Sequence, residues 1–176
     1  MELKEILEKR RSIRKFSEKE VSRETIAALV EATFKAPSSR NSRSTHLIVI
    51  GNKQIIEQLS TMRDYGSSFI KGAPLFILIA GDRDATDLWE VNCSISATLL
   101  QLAATDLGLA SCWVHVDARP QLKSEPQGAT AEEHIRKYID IPSNLSLLCG
   151  IAIGYSDFTP ADLPQFDAAT HLHMVE

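Results

Sequence analysis

The segment Pro74-Leu75-Phe76-Ile77-Leu78-Ile79-Ala80 has an unbroken apolar run after its proline. A short apolar run of this kind, with β-branched and aromatic residues, is typical of a strand buried on both faces. Three other segments predict strands around it, at residues 45–50, 110–116 and 145–155. Gly150 and Gly154 in the last segment carry no side chain, so we expect another part of the chain to approach the backbone closely there.

Two longer helices are predicted beside these strands. The first is capped by Ser22 and ended by Pro37, and its spacing predicts a buried stripe of Ile26, Leu29, Val30 and Phe34. The second covers residues 88–107, with Ile95, Leu99, Leu102 and Ala103 at helical spacing and Gly108 suited to the left-handed position after its end. Because it is apolar on more than one side, we expect it to be central and largely buried.

Three shorter helices are predicted at residues 2–9, 53–62 and 130–138. The last of them begins with the capping box Thr130-Ala131-Glu132-Glu133. Four strands among five helical segments predict an α+β fold. Residues 156–176 contain no Lys or Arg and only scattered apolar side chains, so this tail is either disordered or lies along another surface, including that of a partner subunit.

Length and composition predict one globular domain over residues 1–176. The chain is 44% hydrophobic and 24% charged, as in ordinary soluble proteins. No apolar run approaches the roughly 18 residues of a membrane helix, and the charged N-terminus lacks the apolar core of a signal peptide. We therefore expect no membrane association and a cytoplasmic location.

The charges are distributed unevenly along the chain. Residues 1–43 carry 11 Lys and Arg against 7 Asp and Glu, although the whole chain has a net charge of -4. A local basic cluster on an acidic protein indicates a discrete anion site, whereas nucleic-acid binding usually requires an extended basic face. We therefore expect a small anionic ligand and no nucleic-acid partner.

Cysteines and histidines provide no predicted metal site. Cys93, Cys112 and Cys149 are far apart in apolar settings, which favours buried reduced thiols. Only His171 and His173 lie close together, and no zinc-ligand spacing is present. The chain also lacks the sequence patterns of a catalytic triad, a metalloprotease, a Walker loop or a dinucleotide fold.

The first candidate binding segment is Arg10-Arg11-Ser12-Ile13-Arg14-Lys15, where the first predicted helix ends. Arginine side chains present planar forks of donors that match phosphate oxygens, and serine adds a hydroxyl donor. The alternative is a solvated basic helix end, which would also suit the helix dipole.

The second candidate is the polar loop Ala36-Pro37-Ser38-Ser39-Arg40-Asn41-Ser42-Arg43. Ser39, Asn41 and Arg43 could offer hydrogen bonds to a heterocycle with carbonyl groups and ring nitrogens, because an amide both donates and accepts. The alternative is ordinary turn chemistry, since serine and asparagine are frequent in turns.

The third candidate is the turn Leu107-Gly108-Leu109-Ala110-Ser111-Cys112-Trp113-Val114, where a helix changes into a strand. Trp113 could contact a ligand or belong to the core. His115 could lie near a pocket, in the core or on the surface. The backbone N–H groups of this strand could also hydrogen-bond a cofactor and adjust its chemistry.

Taken in order, these segments resemble the nitroreductase family. Arg10-Arg11-Ser12-Ile13-Arg14-Lys15-Phe16 is similar to its phosphate motif, and Pro37-Ser38-Ser39-Arg40-Asn41-Ser42-Arg43 to its flavin-ring loop. Gly108-Leu109-Ala110-Ser111-Cys112-Trp113 resembles the family's turn before the third strand. Ile141-Pro142 and Ile151-Ala152-Ile153-Gly154-Tyr155 resemble its closing strand, so the similarity covers residues 3 to 158.

The resemblance implies a nitroreductase-like α+β sandwich, with a mainly antiparallel central sheet flanked by helices. It further implies an intertwined homodimer in which the extension from about residue 156 packs on the partner subunit. Two FMN molecules would lie at the interface. Their phosphates and pyrimidine ends would be held by Arg10, Arg11, Ser12 and Arg14. The other implied cofactor-binding residues are Pro37, Ser38, Ser39, Asn41 and Arg43 in the loop, from the partner subunit, and Trp113, Val114 and His115 near the hydride-accepting nitrogen.

The resemblance also implies a reaction. NAD(P)H would reduce FMN and leave, and a nitroaromatic, quinone or similar electron-poor acceptor would then take the electrons in the same cleft by a ping-pong mechanism. No side chain is expected to act as a catalytic acid, because the flavin carries the chemistry. The alternatives are an FMN enzyme for an enone, a halogenated aromatic or flavin itself, and a non-catalytic flavin-binding module.

Three positions depart from the family pattern. The ring loop commonly continues with proline and tryptophan, where this chain has Ser44 and Thr45. A basic residue near the C-terminus often reaches the phosphate, and here Gln165 is the candidate for that place. Asn92 replaces an acidic residue that is frequent at the start of the long helix.

Overall fold

The central layer is a four-stranded sheet whose strand order is β1-β2-β4-β3. The strands are β1 (Thr45–Ile50), β2 (Leu75–Asp82), β3 (Ala110–His115) and β4 (Leu145–Gly154), and every neighbouring pair is antiparallel. The computed structural model describes residues 1–164 and 167–175. The expectation for Gln165 therefore lies outside the described residues, and so does the apolar position Phe166 of the tail.

Five helices flank the sheet, as the sequence predicted: α1 (Leu3–Lys9), α2 (Arg23–Phe34), α3 (Lys53–Leu59), α4 (Trp89–Asp106) and α5 (Ala131–Ile135). Short 3₁₀ turns occur at Ser39–Asn41, Ser68–Gly72 and Ala168–Thr170. The expected α+β class and mainly antiparallel sheet are therefore confirmed. No helix among residues 1–164 and 167–175 is long and apolar enough to span a bilayer.

The two faces of the sheet bury separate apolar clusters. On one face, Ile56 and Leu59 of α3, Ile70 and Ile135 pack with Phe76, Leu78 and Ala80 of β2. On the other face, Leu29 of α2 and Cys93, Ala97 and Leu100 of α4 pack with the alternate β2 residues Leu75, Ile77 and Ile79. β2 is therefore covered on both sides, as its continuous apolar sequence requires.

The predicted buried stripe of α2 is wrong at its C-terminal end. Leu29 is fully buried, but Phe34 is 55% exposed and Thr33 takes the inward position. The Thr33 hydroxyl donates to the Leu29 carbonyl at 2.7 Å, which satisfies its polar group inside the core. Hydrophobicity alone predicts that Phe34 is buried, whereas in the structure the smaller Thr33 faces the core.

Helix α4 is buried or half-buried along most of its length, in agreement with the expectation of a largely buried helix, and its fully buried residues lie on one side. Its inward residues are Asn92, Cys93, Ser96, Ala97, Leu100, Gln101 and Ala104. Ile95, Leu99 and Leu102 are half-buried and lie on the opposite side. An apolar stripe that faces away from its own core is available to pack on another surface.

The predicted helix ends at Ser22, Thr130 and Gly108 are confirmed, whereas α3 and α5 end earlier than the predicted residues 62 and 138. Ser22 accepts from the Thr25 N–H at 3.1 Å, and Thr130 and Glu133 form the reciprocal capping box. Gly108 has a φ of 75°, a left-handed value that glycine adopts without strain. The following Leu109 N–H returns to the Ala104 carbonyl at 2.8 Å, so the chain turns directly from α4 into β3.

All three cysteines are buried and unbridged, as predicted. Burial raises the pKa of Cys93 to about 11, and burial likewise raises the pKa of Cys112 and Cys149. The thiols therefore stay protonated at neutral pH.

The close approach expected at the glycines of β4 is confirmed. A Cβ built at Gly150 would lie 2.1 Å from Cζ of Phe76, and one at Gly154 would lie 2.6 Å from Cδ of Pro74. Phe76 is fully buried and fills the space above Gly150. The Phe76 ring of β2 therefore fits only because Gly150 of β4 has no side chain.

We expect Gly150→Ala to lower the free energy of unfolding by about 3 kcal/mol, because overpacking a rigid core displaces a ring that has no room to move. Urea denaturation measures this change. Gly51→Ala is the matched control, since a Cβ there meets nothing within 4 Å. Adding Phe76→Leu to Gly150→Ala should cost less than the sum of the single changes. Equal stability of the Gly150 and Gly51 variants would contradict the packing described.

Candidate functional site

The basic segment, Arg10–Lys15, begins at the C-terminal end of α1. The Arg10 N–H donates to the Ile6 carbonyl at 2.9 Å, which closes the helix. Arg11 folds back, and its Nη1 donates to the carbonyls of Glu8 and Arg10. Arg11 thus caps α1 with part of its guanidinium group, as in the alternative reading of a basic helix end.

The segment then runs beside the outer edge of β3, the edge that faces away from β4. Ser12 forms a parallel bridge with Ser111, and the Ile13 N–H donates to the Ser111 carbonyl at 3.0 Å. The Arg14 guanidinium lies 5.6 Å from the centre of the Phe69 ring. These contacts place the first and third predicted segments side by side.

The outer edge of β3 offers backbone groups from alternate residues. Because strand residues alternate, Trp113 and His115 direct their N–H and C=O groups to the same side as Ser111, away from β4. The side chains of Trp113 and His115 are stacked, with ring centres 6.3 Å apart. Val114 is 2% exposed and belongs to the core, so its side chain is not available to a ligand.

Arg63 joins this edge although sequence reasoning did not select it. Its Nη1 donates to the His115 carbonyl at 3.1 Å, and its guanidinium lies 4.1 Å from the centre of the Tyr65 ring. Burial lowers the pKa of His115, and the nearby guanidinium of Arg119 lowers it further, with a smaller contribution from Arg63. The His115 imidazole is therefore neutral at pH 7.

Three buried polar atoms along this edge have no hydrogen-bond partner in the described chain: Nε of Arg11, Nε of Arg63 and Oγ of Ser111. Buried donors and acceptors in native proteins are normally paired. Together with the exposed Ser12 and Arg14, they provide donors for an anionic ligand that carries further polar groups. This donor set fits a phosphate ester better than an apolar ligand.

The 37–43 loop lies elsewhere, before β1. The Ser38 hydroxyl accepts from the Arg43 N–H at 3.0 Å, and Asn41 Oδ1 accepts from Arg43 Nε at 3.3 Å. Pro37, Arg40, Asn41 and Arg43 are exposed, whereas Ser38 and Ser39 are half-buried. Beside the loop is a cavity of about 200 Å³ lined by Thr33, Phe34, Ala36, Ser38, Arg43, Thr45 and Ser96.

Asn92 of α4 fastens this loop. Its Oδ1 accepts from the Ser39 N–H at 2.9 Å, and its Nδ2 donates to the hydroxyls of Ser42 and Ser44 at 3.1 and 2.9 Å. Asn92 is 1% exposed. The sequence marked this position only as a departure from the family pattern and did not predict the contacts.

Within one chain the loop and the basic segment are far apart. The loop adjoins β1 and the basic segment adjoins β3, which are the two edge strands of the sheet. The two places also lie at opposite ends of β2. Thr45, after the loop, pairs with Gly81, whereas Ser111 lies in register with Leu75 across β4. From strand spacing and rise, the two places are separated by about 14 Å across the sheet and about 20 Å along it. A single chain therefore does not bring the two predicted halves of the site together.

Segment 117–129, which connects β3 to α5, is hydrogen-bonded to the body of the protein. The Lys123 N–H donates to the Asp64 carboxylate at 3.1 Å, and the Asp64 N–H donates to the Gln121 carbonyl at 2.8 Å. The Gln121 side chain also bonds His134 at 3.0 Å. These contacts hold the segment against the end of α3.

Comparison with known proteins supports the resemblance noted from the sequence. The sequence profile of the nitroreductase family matches residues 7–63 and 57–155. A protein of Methanothermobacter thermautotrophicus, provisionally named NADH dehydrogenase/NAD(P)H nitroreductase, is 31% identical over 95% of this chain and 84% of its own. The Bacillus subtilis protein named FMN reductase [NAD(P)H] is 27% identical over 86% of this chain and 63% of its own.

The fold is also similar to solved structures. An FMN-dependent nitroreductase from Clostridium difficile R20291 superposes with a TM-score of 0.89 at 37% identity and 96% coverage of both chains. The protein named NADH oxidase, again provisionally, from Clostridium acetobutylicum gives a TM-score of 0.84 at 26% identity, over 97% of this chain and 99% of its own. The sequence match and the shared fold agree, and the chain belongs to the nitroreductase family.

Proposed function

We propose that this protein is an FMN-dependent NAD(P)H oxidoreductase that reduces nitroaromatics, quinones or similar electron-poor acceptors by a ping-pong mechanism, as a homodimer with two shared sites. Membership of the nitroreductase family and the names of its relatives support the general activity. The acceptor class, the order of the steps and the dimer are this proposal's own additions.

One observation carries the proposal: the basic segment is fixed along the outer edge of β3 by the Ser12–Ser111 bridge. Arg10, Ser12 and Arg14 would bind the FMN phosphate with charge-assisted hydrogen bonds. Arg11 would contribute less, because its Nη1 is already bonded to two carbonyls of the chain. The unpaired Oγ of Ser111 and Nε of Arg11 provide polar positions that such a ligand would satisfy.

The opposite end of the same edge suits the flavin ring. FMN, when bound, supplies a two-electron carrier between NAD(P)H and the acceptor. The N–H groups of Trp113 and His115 face this edge and would donate to ring atoms. The Arg63 guanidinium, fixed on the His115 carbonyl, adds a positive charge beside them. A fixed cation there stabilises the negative charge that reduction brings to the site.

The partner subunit would complete each site with its 37–43 loop, from which Pro37, Ser38, Ser39, Asn41 and Arg43 would approach the ring. The wide separation of the loop from the basic segment in one chain supports this division. The outward stripe of Ile95, Leu99 and Leu102 supplies an apolar surface for the partner. The tail from about residue 156 is exposed at Phe158, Leu163, Leu172 and Met174, as expected for a segment that packs on another subunit.

The fastened 117–129 segment favours small acceptors of several kinds over a single specialised substrate. A lid that selects one substrate must move over the site, whereas this segment is bonded to Asp64 and His134. We therefore rank the general reductase above an enone or dehalogenating enzyme.

We expect the purified protein to be yellow and its flavin absorbance to bleach when NADH or NADPH is added without oxygen. Addition of an electron-poor acceptor should then restore the colour, because reduction of the flavin by the nucleotide and its oxidation by the acceptor are separate half-reactions. Anaerobic spectrophotometry measures both steps. Bound flavin that neither nucleotide reduces would favour a non-catalytic binding module. Colourless protein that does not take up added FMN would contradict every flavin-based reading.

We expect Arg14→Ala to raise the Kd for FMN about 10- to 100-fold, since a charge-assisted hydrogen bond is worth roughly 1.5–3 kcal/mol. Lys15→Ala is the matched control, because it removes a neighbouring charge whose Nζ lies over the Phe158 ring. The control should change the Kd no more than about threefold, as expected for a screened charge. Fluorescence titration of the flavin-free proteins gives both values. Equal weakening in both variants would mean that the segment acts only through its overall charge.

We expect Leu99→Asp to convert the dimer into monomers and to release FMN, because a carboxylate on the outward side of α4 cannot be buried against a partner. Leu122→Asp serves as the control at an exposed leucine in the 117–129 segment. Sedimentation at micromolar concentration, with circular dichroism to check folding, distinguishes the two. A folded Leu99→Asp dimer that retains FMN would place the subunit interface elsewhere.

A further inference from the structure

Asn92 has its amide orientation fixed by the chain itself. The Ser39 N–H can only donate, so the side-chain atom that receives it at 2.9 Å must be Oδ1. Nδ2 is then left to donate to both the Ser42 and Ser44 hydroxyls. One buried side chain on a rigid helix therefore holds three residues of the loop that precedes β1.

The loop needs such an anchor because its backbone is strained. Arg40, Asn41 and Arg43 have φ values of 51°, 53° and 47°, in the left-handed region. Each non-glycine residue in this region costs roughly 1 kcal/mol or more. Without compensating bonds the loop would relax toward other conformations. The bonds to Asn92 and the Ser38–Arg43 bond oppose this relaxation, together with the Asn41–Arg43 side-chain bond and two backbone bonds of the loop's own turn.

Ser44 explains why an amide is suitable here. A proline at position 44 would disfavour the left-handed conformation of the preceding Arg43. Position 44 carries no proline ring here, and the Ser44 hydroxyl is instead bonded to Asn92 at 2.9 Å. The hydrogen bonds of Asn92 thus hold a loop conformation that a proline at position 44 would oppose.

We propose that Asn92 is the positioning residue of the flavin site: it holds the 37–43 loop in the strained conformation in which the loop reaches the cofactor of the partner subunit. This inference rests on the proposed function, because it takes the cofactor to be FMN. Asn92 does not touch the ligand in this account. It acts through Ser39, Ser42 and Ser44.

The test compares Asn92→Ala with Gln101→Ala, a buried polar residue on the same side of α4 but far from the loop. We expect Asn92→Ala to raise the Kd for FMN about tenfold or more, since each lost hydrogen bond is worth about fivefold. Gln101→Ala should leave the Kd within about threefold of the parent value. It should lower the melting temperature about as much as Asn92→Ala does. Hydrogen exchange of the Ser39 and Arg43 amides should become faster in the Asn92 variant alone.

Two further variants keep the inference testable if Asn92→Ala does not fold. Asn92→Asp retains an acceptor for the Ser39 N–H and can accept from both hydroxyls, so its loop amides should stay protected and its Kd should remain close to that of the parent. Ser44→Ala should raise the Kd about threefold to fivefold, the value of one hydrogen bond. In the Asn92→Ala background the same change should add little, because the two groups act together.

The outcomes separate this inference from the proposed function. If the parent protein does not bind FMN, the proposed function is wrong, while amide exchange in the loop still decides whether Asn92 holds it. If the parent binds FMN but Asn92→Ala has the same Kd and the same exchange rates, the positioning role is wrong and the flavin site stands. If Asn92→Ala and Gln101→Ala weaken FMN binding equally, Asn92 acts only as an ordinary core residue.

Discussion

The arrangement of the site depends on the pairing of the N-terminal segment with the outer edge of β3. One bridge between Ser12 and Ser111, reinforced by the Ile13 N–H bond, fixes where the arginines lie. Without it, Arg10–Lys15 would be a flexible charged stretch whose electrostatic effect would be screened by salt. With it, the cations have a fixed position relative to the backbone of β3, and order is achieved before any ligand binds.

The order of the strands separates the basic segment from the 37–43 loop within one chain. β1 and β3 are the two edges of a four-stranded sheet, so whatever precedes β1 and whatever borders β3 are held apart by the strands between them. The intervening strands β2 and β4 are buried and cannot move aside. If the loop and the basic segment contact one ligand, as proposed, a second copy would have to supply one of them, and association of the subunits would become part of forming the site.

Much of the fold could be predicted from the sequence, because apolar runs and helix caps are local signals. The run Leu75–Ala80 became the central strand β2, and Ser22, Gly108 and Thr130 marked helix ends correctly. The orientation of the helices was harder to predict. Phe34 points outward because the smaller Thr33 fits the core, and the stripe through Leu99 faces away from the sheet. These choices depend on the shape of the opposing surface, which no single segment encodes.

The candidate site was predictable where its residues are consecutive and unpredictable where the fold assembles them. The basic segment and the 37–43 loop were visible as motifs, and the positions of individual ligand contacts remain predictions. Arg63 gave no sequence signal, since only the turn after α3 carries it to the His115 carbonyl. Asn92 was visible only as an unusual residue type, and its meaning came from three partners about fifty residues earlier in the chain.

The sealed cysteines have a chemical consequence for a protein that handles reducing equivalents. A thiolate is the form of cysteine that reacts with oxidants, disulfides and electrophiles. Cys93, Cys112 and Cys149 are all enclosed, and the pKa of each is raised, so very little thiolate exists at neutral pH. The three thiols thus offer little reactivity toward quinones or peroxides that reach the surface of the protein.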